Sequence, residues 1–259
     1  MQRSDPSSGE LPRLAAGLLV QLRERSPRVH CITNVVAQNF TANVLLSAGC
    51  VPSMTISPEE VAQFVTRADA LLINLGTFDR ERREAIEIAV AAAADNRISW
   101  MVDPVLIDRS ASRADFARQL IARGPKAVRL NGAEFMTLSG RGAEAEAVAD
   151  YARGHGCVVA RSGAADFVSD GGRHATIANG HPLMAKVTAM GCAGSALIAA
   201  CLAVEPNAYI AAAAGLLLLG IAGELAAQNA KGPGSLAVGI VDALHALDGT
   251  TIMKQARIS

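Results

Sequence analysis

The sequence predicts an α/β domain with a mostly parallel central sheet, helices on both faces and an antiparallel hairpin at one edge. Three observations predict it. Over roughly the first 160 residues, short apolar runs alternate with longer segments of helical period, the pattern of strands buried on both faces and joined by crossover helices. Polar or small residues close those runs: Asn74 and Gly76, Asp103 before Pro104, Asn131, and Ser162. The alternation then breaks at 167–177, where Asp170-Gly171-Gly172 lies between two apolar stretches and reads as an edge hairpin.

The elements follow in order. Residues 14–25 have a helical period, and 36–48 reads as a helix carrying Phe40, Val44 and Leu45 on one face. A short strand at 51–54 precedes Ser57-Pro58-Glu59-Glu60, a helix start with a cap, an early proline and acids that complement the dipole. Residues 70–74 form a strand, Asp79 caps a long helix at 80–94, and 98–102 is a strand that ends in Asp103-Pro104. A helix at 114–122, a strand at 127–130, helices at 133–138 and 144–152, and a strand at 157–161 continue the alternation. After the hairpin, Lys186-Val187-Thr188 runs into the small-residue turn Ala189-Met190-Gly191-Cys192. Three helices follow, at 193–204, 208–230 and 235–247, separated by Pro206 and by Gly232-Pro233-Gly234. With no linker or repeat, 11–259 reads as a single domain, and the polar stretch 1–10 as a disordered tail.

Composition excludes several classes of function. Hydrophobic residues are 51% of 259 and charged residues 19%, enough for a sizeable core. Lys+Arg and Asp+Glu are 24 each and basic residues do not cluster, which argues against a nucleic-acid surface. The five cysteines are odd in number and include no CxxC pair, which fits a cytoplasmic setting and excludes a thiolate zinc site of the usual spacing. No apolar leader is visible at the start. The apolar stretch 209–223 falls short of the roughly 20 residues that span a bilayer and reads as a buried core helix.

Open parallel sheets bind ligands beyond the carboxyl ends of their strands. Asn74, Gly76, Asp103, Arg129, Asn131, Glu134, Ser162 and the Cys192 turn all fall there. A turn that runs directly into a helix leaves N–H groups unpaired, and these make an anion site suited to phosphoryl or acyl transfer. The bland alternative is a tight loop before a core helix with a buried cysteine. Cys192 falls in the first turn, where the dipole is expected to lower a thiol pKa. Asp103 reads as a metal or phosphate-side group or as a cap, and Glu134 as a ligand or a complement to its helix dipole. Arg129, set in an apolar strand, needs a partner if buried, and a phosphate would serve; the alternative is an edge-strand arginine reaching solvent. No Walker lysine loop, GxGxxG, HExxH or GxSxG is present. Cys192 has no histidine near it in sequence, which argues against a cysteine hydrolase.

His30-Cys31-Ile32-Thr33-Asn34, Gln38-Asn39-Phe40-Thr41-Ala42-Asn43 and Gly49-Cys50-Val51-Pro52-Ser53-Met54 together resemble the N-terminal signature of the hydroxyethylthiazole kinase family. Further matches are Ile73-Asn74-Leu75-Gly76-Thr77, Val102-Asp103-Pro104-Val105, Arg129-Leu130-Asn131-Gly132-Ala133-Glu134, Asn179-Gly180-His181-Pro182-Leu183-Met184 and Gly232-Pro233-Gly234-Ser235, in order over about 29–247. The resemblance implies a ribokinase-like fold. It also implies ATP- and Mg²⁺-dependent phosphorylation of the hydroxyl of 4-methyl-5-(2-hydroxyethyl)thiazole in thiamine salvage. It implies a homotrimer with active sites at subunit interfaces, the signature around His30 serving a neighbouring subunit. By position, Met54, Ala189 and Asn34 would contact the thiazole, and Arg129 and Ser162 the ATP. Asp103 and Glu134 would hold Mg²⁺ directly or through water, and Gly191 and Cys192 would form the anion hole. The chain departs from the family pattern at Ala189 and Met190, where many members have Gly-Thr, at Leu130, where a Gly is usual, and at Ala164, where a Glu is common. The same pattern admits a kinase of another small alcohol, such as hydroxymethylpyrimidine, or a non-catalytic thiazole- or nucleotide-binding protein.

Overall fold

A computed structural model describes residues 8–259. Of the expected tail, 1–7 lie outside the described residues, whereas Ser8–Glu10 form a 3-10 turn that runs into the first helix. The elements are α1 (Leu11–Arg25), β1 (Arg28–Ile32), α2 (Gln38–Ser47), β2 (Val51–Ser53), α3 (Val61–Val65), β3 (Ala70–Asn74), α4 (Arg80–Asp95), β4 (Ser99–Asp103) and α5 (Ala111–Ile121). Next come β5 (Ala127–Asn131), α6 (Gly132–Ser139), α7 (Ala145–His155), β6 (Val158–Ser162), β7 (Asp166–Ser169), β8 (His174–Ile177), α8 (Met190–Val204), α9 (Ala208–Ala227), α10 (Pro233–Ala246) and α11 (Gly249–Gln255).

The strands form one sheet in the order β2-β1-β3-β4-β5-β6-β7-β8. Pairing is parallel from β2 to β6 and antiparallel for β6-β7 and β7-β8. The expected hairpin is therefore β7-β8. Its outer strand is covered by the chain's end, where Thr176 and Ser259 exchange backbone hydrogen bonds. Such cover protects an edge that would otherwise recruit another strand.

Strand residues alternate between two cores, as the pleat requires. Val29, Cys31, Leu72, Met101 and Ala160 face α1, α2, α8, α9 and α10. Ile32, Leu71, Ile73, Val102, Val128 and Val159 face α4, α5, α6 and α7. The parallel strands thus end along one edge of the sheet, and the functional residues gather there.

Several elements differ from the sequence expectation. Strand β1 was not anticipated, because His30 interrupts its apolar run; the structure buries that histidine fully. Helix α3 starts only at Val61, because Ser57–Glu60 close turns in which Ser57 O accepts from Glu60 N and Val61 N. Helix α8 starts at Met190, three residues early, so Gly191 and Cys192 are already helical. The short helix α11 was also unforeseen. Helix α9 ends at Ala227, three residues before the expected end. Its 20 residues are long and apolar enough to cross a membrane, unlike the shorter apolar stretch 209–223, and 83% of its 18-residue apolar window is buried inside the protein.

Candidate active site

Helix α8 brings its N-terminus to the carboxyl edge of the sheet. Ala189 is its N-cap, in the left-handed region at φ 66°, and offers no side-chain cap. An L-residue there costs on the order of 1–2 kcal/mol, which explains why glycine suits this corner. The first intrahelical bond runs from Ala193 N to Ala189 O at 2.9 Å. The N–H groups of Met190, Gly191 and Cys192 precede it and have no partner within the helix.

Arg129 lies against this turn. A Cβ on Gly191 would meet Arg129 Nη1, so this glycine lets the guanidinium lie against the helix end without shifting. Among the described residues, Arg129 Nε is buried without a hydrogen-bond partner. Arg129 acts electrostatically on Asp103, Glu134 and Asp166, lowering the pKa of each against the larger effect of burial. The odd arginine in an apolar strand therefore faces a cluster of acids at the site rather than open solvent.

Asn74 and Asp103 are register partners at the ends of β3 and β4. Asp103 is 2% exposed, and Ser195 Oγ of α8 donates to its Oδ2 at 2.8 Å. Burial pushes its carboxyl above the usual range, while Arg129, Ser195 and Asn74 pull the other way. Sequence reasoning missed Ser195; the available signal was a single hydroxyl in an otherwise apolar helix.

Glu134 is buried at the start of α6. Asn131 Oδ1 accepts from Glu134 N at 2.9 Å, and Glu134 Oε2 accepts from Asn131 N at 2.8 Å, which closes a capping box. Its other oxygen accepts from Leu106 N at 2.8 Å. Burial chiefly, and Asp103 in addition, raise its pKa. Glu134 thus joins the capping box of its own helix, a role beyond the dipole complement read from sequence, and also shares a field with Asp103.

Cys192 is 7% exposed, and its sulfur accepts from Asn34 Nδ2 at 3.3 Å and from Asn74 Nδ2 at 3.4 Å. Asn74 Oδ1 accepts from Asn34 Nδ2 at 3.1 Å and from Gly76 N at 3.0 Å. A Cβ on Gly76 would sit 2.6 Å from Asn34 Cβ, so this glycine permits the approach. The expectation of a lowered thiol pKa is overturned. Burial chiefly, then the charge of Asp103, push Cys192 up to about 11, and the two amides and Arg129 only partly oppose this. No imidazole contacts the thiol among the described residues, so the elements of a cysteine hydrolase are not assembled.

Asn34 reaches the Cys192 group within its own chain, donating to the sulfur. Met54 follows β2 and Ser162 ends β6, both at the same sheet edge. Neither bonds to the Cys192 group: Ser162 Oγ donates to Leu130 O at 3.2 Å, and Met54 packs on the α8 and α9 side of the core. Among the described residues no group of three or more His, Cys, Asp or Glu forms a metal cage. The acidic pair Asp103 and Glu134 still fits Mg²⁺. That ion characteristically takes one or two carboxylates and completes its shell with water and phosphate oxygens. Two buried carboxyls whose pKa values burial raises, with Asp103 adding to the effect at Glu134, are the groups a divalent cation would stabilise in charged form.

This layer order, with a mostly parallel sheet and a helix N-terminus at its carboxyl edge, is a ribokinase-like fold. A ribokinase-like superfamily protein from Enterococcus faecalis V583 shares the fold, with a TM-score of 0.62 at 16% identity over 96% of this chain and 92% of that one. The chain belongs to the hydroxyethylthiazole kinase family, whose profile matches residues 19–250. It is 47% identical over 253 residues to a probable hydroxyethylthiazole kinase of Agrobacterium fabrum, covering 97% of this chain and 98% of the relative. It is 46% identical over 253 residues to a hydroxyethylthiazole kinase of Granulibacter bethesdensis, covering 93% and 92%. The hydroxyethylthiazole kinase protein from Pyrococcus horikoshii OT3 superposes with a TM-score of 0.91 at 34% identity, over 95% of this chain and 98% of that one.

Proposed function

We propose that this chain phosphorylates the hydroxyl of 4-methyl-5-(2-hydroxyethyl)thiazole with ATP and Mg²⁺, a step of thiamine salvage. One observation carries the reading: the uncapped turn at Gly191 and Cys192, with Arg129 against it and Asp103 bonded to the same helix through Ser195. Phosphoryl transfer asks the protein for positioning and charge stabilisation more than for covalent chemistry. The N–H groups of Gly191 and Cys192 receive charge that develops on the transferring group, with no reorganisation of the helix end. Arg129 and Ser162 hold the nucleotide phosphates, and Arg129 neutralises charge that the buried acids would repel. Asp103 and Glu134 hold Mg²⁺, directly or through water; when bound, the ion offsets charge on the phosphate oxygens. Asn34, Met54 and the Ala189 backbone orient the alcohol. Cys192, protonated at neutral pH, fills and shapes the hole and does not accept the alcohol proton.

We read the assembly as a homotrimer with sites near its interfaces. Val35, Val36, Leu46 and Val51 leave apolar side chains exposed around β1, α2 and edge strand β2, which supports contact with another copy. Residues 11–259 read as one domain, since a single sheet joins both cores. Five free, buried cysteines support a cytoplasmic location.

Coupled ADP release, with the thiazole alcohol against hydroxymethylpyrimidine, tests the activity. The thiazole alcohol should be preferred. Preference for the pyrimidine, or no ATP consumption with either, would overturn the reading.

A further inference from the structure

We propose that His30 is a positioning residue for the alcohol substrate: its ring holds the two residues that flank Met54, through the Ser53 hydroxyl and the Thr55 carbonyl, where the β1-β2 ladder ends. The inference rests on the reading of Met54 as a thiazole contact.

The β1-β2 ladder is short. Its register runs Arg28 with Val51, Val29 with Pro52 and His30 with Ser53, and there it stops. Met54 therefore lies just past the sheet, where no backbone rung restrains it. The His30 ring takes over. Its Nδ1 lies 2.8 Å from Ser53 Oγ, and its Nε2 lies 3.1 Å from Thr55 O. These two partners flank Met54 in the chain.

The chemistry of the partners settles the tautomer. A backbone carbonyl only accepts, so Nε2 carries the proton and donates to Thr55 O. Burial holds the ring neutral, with its pKa lowered to about 4, so Nδ1 is a bare acceptor and Ser53 Oγ–H donates to it. Both nitrogens are thereby satisfied, which is what a fully buried imidazole requires. The ring plane is held as well: Phe64 of α3 lies at 5.8 Å between centroids, tilted by 35°. On its far side the segment is tied to the turn before α3, where Thr55 Oγ1 donates to Glu60 Oε1 and accepts from Ser57 N at 3.3 Å. A leucine at position 30 would suit the strand's apolar pattern but would leave Thr55 O without its donor.

The test is steady-state kinetics of His30→Phe, His30→Gln, His30→Asn and Met54→Ala. Phe keeps the bulk and the ring contact but deletes both hydrogen bonds. It should raise KM for the thiazole alcohol about tenfold, the worth of roughly one net hydrogen bond. The kcat and the KM for ATP should stay within about threefold, because the Arg129 and Cys192 groups are not touched. The Gln amide reaches where Nε2–H stood and should restore the thiazole KM, whereas the shorter Asn should not. Four outcomes would overturn the proposal. If Met54→Ala raises the thiazole KM and His30→Phe does not, the ring does not position the segment. If neither raises it, the Met54 reading fails and the positioning role with it. If His30→Phe raises both KM values alike and Gln rescues nothing, the residue is only a structural support. Should the Phe variant not fold, Ser53→Ala removes the Nδ1 partner alone and should raise the thiazole KM by about threefold; no rise would refute the clamp.

Discussion

The sharpest prediction concerns Cys192. If its thiolate were the general base, the enzyme would depend on a form that the structure disfavours. With the thiol pushed up to about 11, only about one molecule in 10³ is ionised at pH 8. A well-matched general base contributes roughly 10²–10⁴-fold, and a fraction of that size cancels most of the gain. The backbone N–H groups of Gly191 and Cys192 are unaffected by the side chain. Cys192→Ser and Cys192→Ala should therefore lower kcat by less than about 30-fold, within what a lost contact to Asn34 and Asn74 explains. In the wild type, kcat should stay flat between about pH 7 and 9.5, whereas a thiolate base would raise it about tenfold per pH unit across that range. The assay is coupled ADP release at saturating ATP, Mg²⁺ and thiazole alcohol, with ATP affinity measured in parallel. A fall of more than about 10³-fold in both variants, with fold and ATP affinity intact, would show that the side chain carries the catalysis.

Asp103→Ala and Glu134→Ala should each lower turnover at least tenfold, about 1.4 kcal/mol in the barrier; wild-type rates at limiting Mg²⁺ in both variants would refute the metal assignment. Light scattering on an active sample should give the mass of a trimer, and a fully active monomer would refute the interface reading. Acid stability should report on His30. Its folded pKa of about 4 lies below the ordinary 6.5, so its contribution is fully present above pH 6.5 and is lost as pH falls through 4, about 3 kcal/mol in all. Asp103, Glu134 and Asp166 have raised pKa values and act in the opposite sense, so the quantity to measure is the difference between wild type and His30→Gln in urea midpoints across pH 7 to 4. A difference curve without slope would refute the assigned tautomer and burial.

Much of the edge that carries the site was legible because it depends on local rules. Asp79 and Asn131 cap their helices by accepting from Arg82 N and Glu134 N, as residue type and spacing suggest. Asn74, Asp103 and Ser162 end strands, and hairpin β7-β8 turns at its glycines. What sequence reading missed was β1, and with it the central placement of His30 and Asn34. A histidine in an apolar run is neutral evidence until Ser53 and Thr55 are seen to satisfy it.

The sequence by itself determined the α/β alternation, the chain's family and the residue types available at each strand end, because period, capping and turn chemistry act over a few neighbouring residues. Only the tertiary structure decided what those residues meet. It set Arg129 against Gly191, tied Asp103 to Ser195 and joined Asn34, Asn74 and Cys192 across separations of 40 to 158 residues. It also reversed the expected sign of the Cys192 shift, since the dipole can be read from helix position but desolvation depends on everything packed around the thiol.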